Sequence, residues 1–223
     1  MIADHPRGVA TRTVRVPIGA QELTGDLALP ANARGLVVFA HGSGSSRFSP
    51  RNRRVAERLQ RNGLATLLFD LLTEREDELD ERSGELRFDI PMLADRLVAI
   101  VEWLRRLPET AALPIGLFGA STGGGAALAA AARIDIAAVV SRGGRPDLAG
   151  AALPHVTAPT LLIVGGSDTP VIQMNRHAQA HMRAHVVLEI VPGATHLFDE
   201  PGTLDRVADL AGAWFDRYLG GDA

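Results

Sequence analysis

The chain of 223 residues contains no cysteine, and every one of its 23 basic residues is arginine. Each absence removes a chemistry. Without cysteine there is no thiolate nucleophile, no disulfide framework and no iron–sulfur ligation. Without lysine there is no Schiff base to a carbonyl or to pyridoxal phosphate, and no phosphate-loop lysine. Covalent catalysis, if the chain performs it, falls to serine, threonine or a carboxylate. Long hydrophobic runs are missing too: no stretch reaches the roughly 18 uncharged apolar residues of a membrane span, and the first residues carry no apolar signal core. The expectation is a cytoplasmic protein with no membrane partner. A net charge of -3 with both signs interspersed supplies no footprint for nucleic acid.

What is present is 46% hydrophobic residues in a length that suits one well-packed domain, expected over 1–223. Two runs with alternating polarity, TVRVPI and LTGDLALP, predict an N-terminal antiparallel pair. After residue 35 the texture changes. Continuous apolar runs at 35–40, 64–72, 113–120, 136–141, 158–166 and 185–193 predict six strands buried on both faces, the mark of a parallel sheet. Helical stretches alternate with them. In SPRNRRVAERLQRNG, for instance, Ser49 can cap, Pro50 takes the first helical position and Gly63 stops the helix. The fold class is therefore α/β, a doubly wound, mainly parallel sheet without a cap domain. One polar island, 73–89, reads as a solvated loop or short helix.

The pentad Gly119-Ala120-Ser121-Thr122-Gly123 fits G-x-S-x-G and lies between a predicted strand and a predicted helix. That context raises it above a chance string, because the motif requires a sharp strand-to-helix turn that exposes the serine. A Gly-rich helix start that merely packs tightly is the alternative. A serine hydroxyl needs a base, and the base needs an orienting acid. Both follow downstream: Asp168 in GGSDTP ends one strand and His196 in PGATHLF ends the next. These are carboxyl ends of strands, where open α/β sheets bind ligands.

Competitors are weighed by position. His5 lies in the terminal stretch, His177, His181 and His185 on or after a helix and His155 in a polar loop, so surface or capping roles suit them. His41 directly follows a strand, and its reading is structural support for its loop. For the acid, Asp147 is the rival to Asp168. Asp70 reads as a structural residue at a strand end. Two backbone donors should meet a developing oxyanion: the N–H of Thr122, and one from the loop HGSGSS, where Ser43 is chosen and Gly42 faces substrate. A phosphate cradle is the other reading of that loop. Arg142 and Arg47 could present forks to a substrate carboxylate, or pair with Asp147 or the acidic 73–81 stretch.

With these motifs in the order Ser, Asp, His, the chain resembles the α/β-hydrolase superfamily, and more closely its dienelactone hydrolase-like branch. The closer resemblance rests on HGSGSSRFSPRNR, LLFDLLTERE, RFDI, LPIGLFGASTGGGAAL and SRGGRPDLA. Dienelactone hydrolases proper use cysteine with a supporting glutamate, whereas this chain has Ser121, and glycine after His41. The resemblance implies a serine esterase on a similar scaffold, working as monomer or homodimer on a small-molecule ester, with no cofactor and no metal. Lactonase, thioesterase, peptidase and acyltransferase share the same machinery, and a non-catalytic ligand binder is the alternative from another class. Proteins similar to this one also occur fused to phosphoribosyltransferase domains.

Overall fold

A computed structural model describes residues 9–220. One eight-stranded sheet runs through it in the order β1-β2-β4-β3-β5-β6-β7-β8. The antiparallel pair β1 (Val9–Ile18) and β2 (Gln21–Pro30) forms one edge, and β2 joins β4 (Ala65–Phe69) antiparallel. From there β4, β3 (Leu36–Ala40), β5 (Ile115–Ala120), β6 (Ala138–Arg142), β7 (Thr160–Gly165) and β8 (Val186–Val191) are all parallel. The six apolar runs are these six strands. Every residue of β3, β4, β5, β6 and β7 is buried, as both-face burial requires.

Helices close the two faces over separate apolar clusters. On one side α1 (Pro50–Arg61) and α6 (Thr203–Leu219) pack Val55, Leu59, Val207, Ala211 and Phe215 against Val37, Phe39, Phe118 and Val140. On the other, α3 (Ile90–Leu104), α4 (Thr122–Ala131) and α5 (Thr169–His181) cover Val38, Leu117 and Val139. Alternate residues of a strand serve opposite clusters, which is the period-2 geometry of the strand made visible. The helix α1 starts as its sequence dictates: the Ser49 hydroxyl accepts the Asn52 N–H at 3.3 Å and Pro50 opens the first turn.

The polar island 73–89 is more than a solvated loop. It forms α2 (Glu74–Ser83), opened by a capping box in which Thr73 and Glu76 satisfy each other's backbone, followed by a 3-10 turn at Leu86–Phe88. Asp80 inside it is 1% exposed, where it accepts the Leu86 N–H at 2.7 Å and Arg87 Nε at 2.5 Å. Glu76 pairs with the buried Arg96 at 2.6 Å, and Arg96 also donates to the Leu71 carbonyl. Charge alternation hid these pairs, because a run of acids and arginines looks the same whether it faces water or itself. Between β6 and β7 the chain makes only a 3-10 segment, Pro146–His155, kinked at Gly150, so no cap covers the sheet's carboxyl edge. Among the described residues no helix is long and apolar enough to cross a membrane. His5 lies outside the described residues.

Candidate active site

The carboxyl ends of β3, β5, β6, β7 and β8 converge on one side chain. Ser121 leaves β5 at φ 51°, ψ −122° and opens α4 as its cap residue. A serine in this sparsely populated region stores about 1–3 kcal/mol, held by its surroundings. Those surroundings are explicit: the Ser121 N–H donates to the Arg142 carbonyl at 3.1 Å, while the Ser121 carbonyl accepts from Gly124 at 2.9 Å and Arg145 at 3.0 Å. The glycines of the pentad are needed for close approach. A Cβ on Gly123 would strike the carbonyl oxygens of Ala40 and His41, and one on Gly119 would meet the Gly124 Cα at 2.5 Å. The glycines let the chain pass this closely, and Ser121 is half-buried at the turn.

His196 stands over this turn. Its Nε2 faces Ser121 Oγ at 3.3 Å, and its Nδ1 lies 2.6 Å from Asp168 Oδ2. The first distance is at the long end of hydrogen bonding, as is common before substrate draws the pair together. Asp168 follows β7 as the cap residue of α5 but spends no side-chain bond on the helix, so its carboxylate is available to the imidazole. The His196 loop reaches this position because β7 ends in Gly165: a Cβ there would overlap the Ala194 and Thr195 carbonyls. One residue past His196, the loop turns back into the core. Leu197 is exposed, whereas Phe198 takes φ 59° and is buried in the α1–α6 cluster.

A strained serine between glycines, a histidine on it and a carboxylate on the histidine form the constellation expected of an acyl-transfer site. The Dienelactone hydrolase family model matches residues 23–214. The chain belongs to the dienelactone hydrolase family. A crystal structure of dienelactone hydrolase from Anabaena variabilis has 59% identity and superposes with a TM-score of 0.93 over 95% of this chain and 99% of that one. Est1E from Butyrivibrio proteoclasticus shares the fold at 17% identity, with a TM-score of 0.77 over 93% of this chain and 99% of that one. In sequence, two Mycobacterium tuberculosis proteins named "Putative phosphoribosyl transferase" are each 58% identical over 221 residues, 98% of this chain. The chain spans about half the length of these curated relatives, 48%.

In this family member the loop after β3 lies against Ser121. A Cβ on Gly42 would sit 3.2 Å from Ser121 Cβ and 3.3 Å from the Ala120 carbonyl, so the backbone at Gly42 passes close to the elbow. Ser43 is exposed at the loop's crest, and Thr122 occupies the first turn of α4, where N–H groups have no intrahelical acceptor. Beneath the loop His41 is the pin. Its Nε2 accepts the Leu71 N–H at 2.9 Å and its Nδ1 lies 2.9 Å from the Gly42 carbonyl. A ring that accepts at Nε2 must donate at Nδ1, which is the neutral form. Burial pushes the His41 imidazole below its usual pKa, outweighing its bond to Gly42 and the nearby Asp70 and Asp77, and so favours that neutral form.

Other expected residues fall elsewhere. Asp147 is held by Arg145 in a two-bond fork at 2.9 and 2.7 Å, which depresses its carboxyl pKa and keeps it on its own loop. Arg47 is captured: its backbone N–H and guanidinium both engage Asp70, with Asp26 at 3.7 Å, so it presents no fork to a ligand. The reading of Arg47 as a substrate-binding residue is corrected on that ground, and the carboxylates that claim it are not those of the 73–81 stretch. Arg142 is different. It lies beside Ser121 at the end of β6, buried, with Asn52 Oδ1 at 3.4 Å from its Nη2, and no carboxylate among the described residues forms an ion pair with it. Asn52, which accepts from that guanidinium, and Asp199, whose charge acts on it, carry no signal in the sequence motifs. Outside the motifs, Asp199 is marked only by its place three residues past His196.

Proposed function

We propose that this protein is a serine hydrolase that cleaves small carboxylic esters through an acyl-enzyme intermediate. The observation that carries the reading is the unbroken contact chain from Ser121 Oγ through both ring nitrogens of His196 to Asp168. Ser121 Oγ attacks the acyl carbon as its proton passes to His196 Nε2, and Asp168 accepts the Nδ1–H and stabilises the imidazolium. The alcohol then leaves with the proton from Nε2. A water molecule, deprotonated by the same nitrogen, attacks the acyl-serine and releases the acid. During both attacks the carbonyl oxygen becomes an oxyanion that the Thr122 and Ser43 N–H groups receive, with Gly42 lining the approach. Lost donors of this kind reduce kcat by about 10²–10³-fold in other acyl-transfer sites.

The bare carboxyl edge supports short acyl groups. A buried methylene contributes about 0.8 kcal/mol, but only where a wall encloses it. No cap stands over Ser121, so extra carbons remain in water. Lactone and thioester cleavage, and acyl transfer to another alcohol, would use the same groups. The transferase name of the Mycobacterium tuberculosis relatives is ascribed here to the half of those proteins that this chain does not match.

The test is hydrolysis of a chromogenic acetyl ester together with labelling by a fluorophosphonate probe. Wild type should turn over and be labelled at Ser121, and Ser121→Ala and His196→Ala should each lower the rate by several orders of magnitude while remaining folded. Label on another residue, or full activity in Ser121→Ala, would overturn the assignment. A rate that climbs steadily from acetyl to octanoyl esters would refute the short-chain preference.

A further inference from the structure

The end of β6 carries a charge that the triad does not use. Arg142 is 7% exposed, and its backbone is bound to Ser121. Its guanidinium turns under the first turn of α1, toward the buried Asn52. Two of its nitrogens, Nε and Nη1, are buried without an acceptor, and so is Nε of Arg51 in the same turn of α1. Burial first, then the like charge of Arg51, pulls the Arg142 guanidinium down to about 10, against the attraction of Asp199. It is still a cation at neutral pH. The carboxylate at this cluster is Asp199, which is exposed and pairs with Arg51 at 3.3 Å.

A buried guanidinium without acceptors is strongly unfavourable, and native structures rarely leave buried donors unmatched. Among the described arginines whose ion pairs are clear, Arg47, Arg87, Arg96 and Arg145 each hold a carboxylate directly. Arg142 is kept as a cation beside the nucleophile with no such partner. The cluster also adjoins the amino end of a 12-residue helix, whose first N–H groups favour negative charge.

We propose that Arg142 and Arg51 form an oxyanion subsite beside Ser121 that takes a phosphoryl group carried by the substrate. The three unmatched nitrogens carry four N–H groups spread over two separate guanidiniums. The double negative charge of a phosphate monoester answers two cations, and its three terminal oxygens can reach donors on both side chains. Asp199 holds Arg51 at the surface end, and the phosphoryl group displaces it on entry. The inference deepens the hydrolase reading and depends on it for the reaction, while the binding itself does not.

Binding is therefore measured on the Ser121→Ala protein, with inorganic phosphate as the probe, by calorimetry and by the shift in Tm. Phosphate should bind, acetate should bind at least tenfold more weakly, and Arg142→Met and Arg51→Gln should each weaken phosphate at least tenfold. Asp199→Asn should tighten it by removing the competing carboxylate. In the active protein, a short acyl ester bearing a phosphate should have a KM at least tenfold below its neutral counterpart, and Arg51→Gln should erase the difference. Arg51 lies near the surface, so Arg51→Gln keeps the test decisive if Arg142→Met fails to fold. No phosphate binding, equal binding in Arg51→Gln, or acetate binding as tightly as phosphate would overturn the subsite. Phosphate binding in a protein without esterase activity would instead sink the hydrolase reading and leave the subsite standing.

Discussion

Two segments meet at the carboxyl edge of the sheet and are held there by opposite means. The elbow at 119–124 is placed by backbone crowding: glycines at van der Waals limits, a left-handed serine, and carbonyls from β3 and β6. The segment 73–89 is held by charge, braced internally by Asp80 on Arg87 and tied to α3 by Glu76 on Arg96, with Leu79 and Phe88 left exposed. Crowding is insensitive to salt and pH, whereas ion pairs depend on both. Ser121, which on the proposed reading must stay within tenths of an ångström of His196, is fixed by the first kind of force. The rim beside it, where Arg87 Nη1 lies 3.7 Å from a Cβ placed on Gly44, can rely on the second.

The largest effect should come from the crowded side. Gly123→Ala places a methyl group against the end of β3, and neither Ala40 nor His41 can yield without moving the loop that follows. A loss at or above the upper end of the usual overpacking range, about 3 kcal/mol, is expected in chemical denaturation, with esterase activity abolished. A variant as stable as wild type would show that the crowding is not what sets the elbow. Next in size is the oxyanion loop. Ser43→Pro removes a backbone donor and should lower kcat by about 10²-fold, while Ser43→Ala keeps the N–H and should be nearly silent. Equal effects from the two would discard Ser43 as the donor.

The charged side should respond more gently and to pH. Asp80→Asn leaves Arg87 short of its carboxylate and should destabilise by about 1–3 kcal/mol, with the elbow intact and kcat changed little. Burial raises the Asp80 and Glu76 carboxyls, but the bonds from Arg87 and Arg96 outweigh it and hold both below their ordinary values. A depressed carboxylate stabilises the fold above its unfolded pKa and loses that contribution as pH falls through its folded pKa. Stability owed to this segment should therefore be complete at neutral pH and disappear below about pH 4, and Asp80→Asn should flatten the slope there. His41 acts in a higher window. Its folded pKa is lowered, so the unfolded chain binds the proton first, and stability should begin to fall as pH drops below about 6.5. An acid titration with the same slope in wild type and Asp80→Asn would show that the segment is not charge-held.

Much of this was legible beforehand, for particular reasons. Continuous apolar runs favour strands covered on both faces, so the existence of β3 to β8 followed from the pattern, whereas their order in the sheet did not, and β8 at the edge is only half-buried. The elbow was legible because its constraint is local: a strand, a pentad and a helix within about twenty residues. Asp168 and His196 were legible because each follows a strand whose end must lie on the same edge as Ser121. The burial of Asp80 was not legible, since α2 carries almost no apolar face to signal which side turns inward.

The sequence by itself determined the order of elements, the serine turn and the succession Ser121, Asp168, His196, because periodicity and turn chemistry act between near neighbours. Tertiary structure alone decided which charges find each other. Arg47 meets Asp70 across 23 positions and Arg51 meets Asp199 across 148, so composition could not tell which carboxylate each arginine would find. It likewise decided that Asp168 faces the imidazole while Asp147 turns to Arg145. Ion pairing depends on distance and on the water removed around it, and both are set by how the crossovers bring strand ends together. Arg142 is the clearest instance: one arginine among 23 in the chain, it became a buried cation beside Ser121 only when β6 was laid against β5.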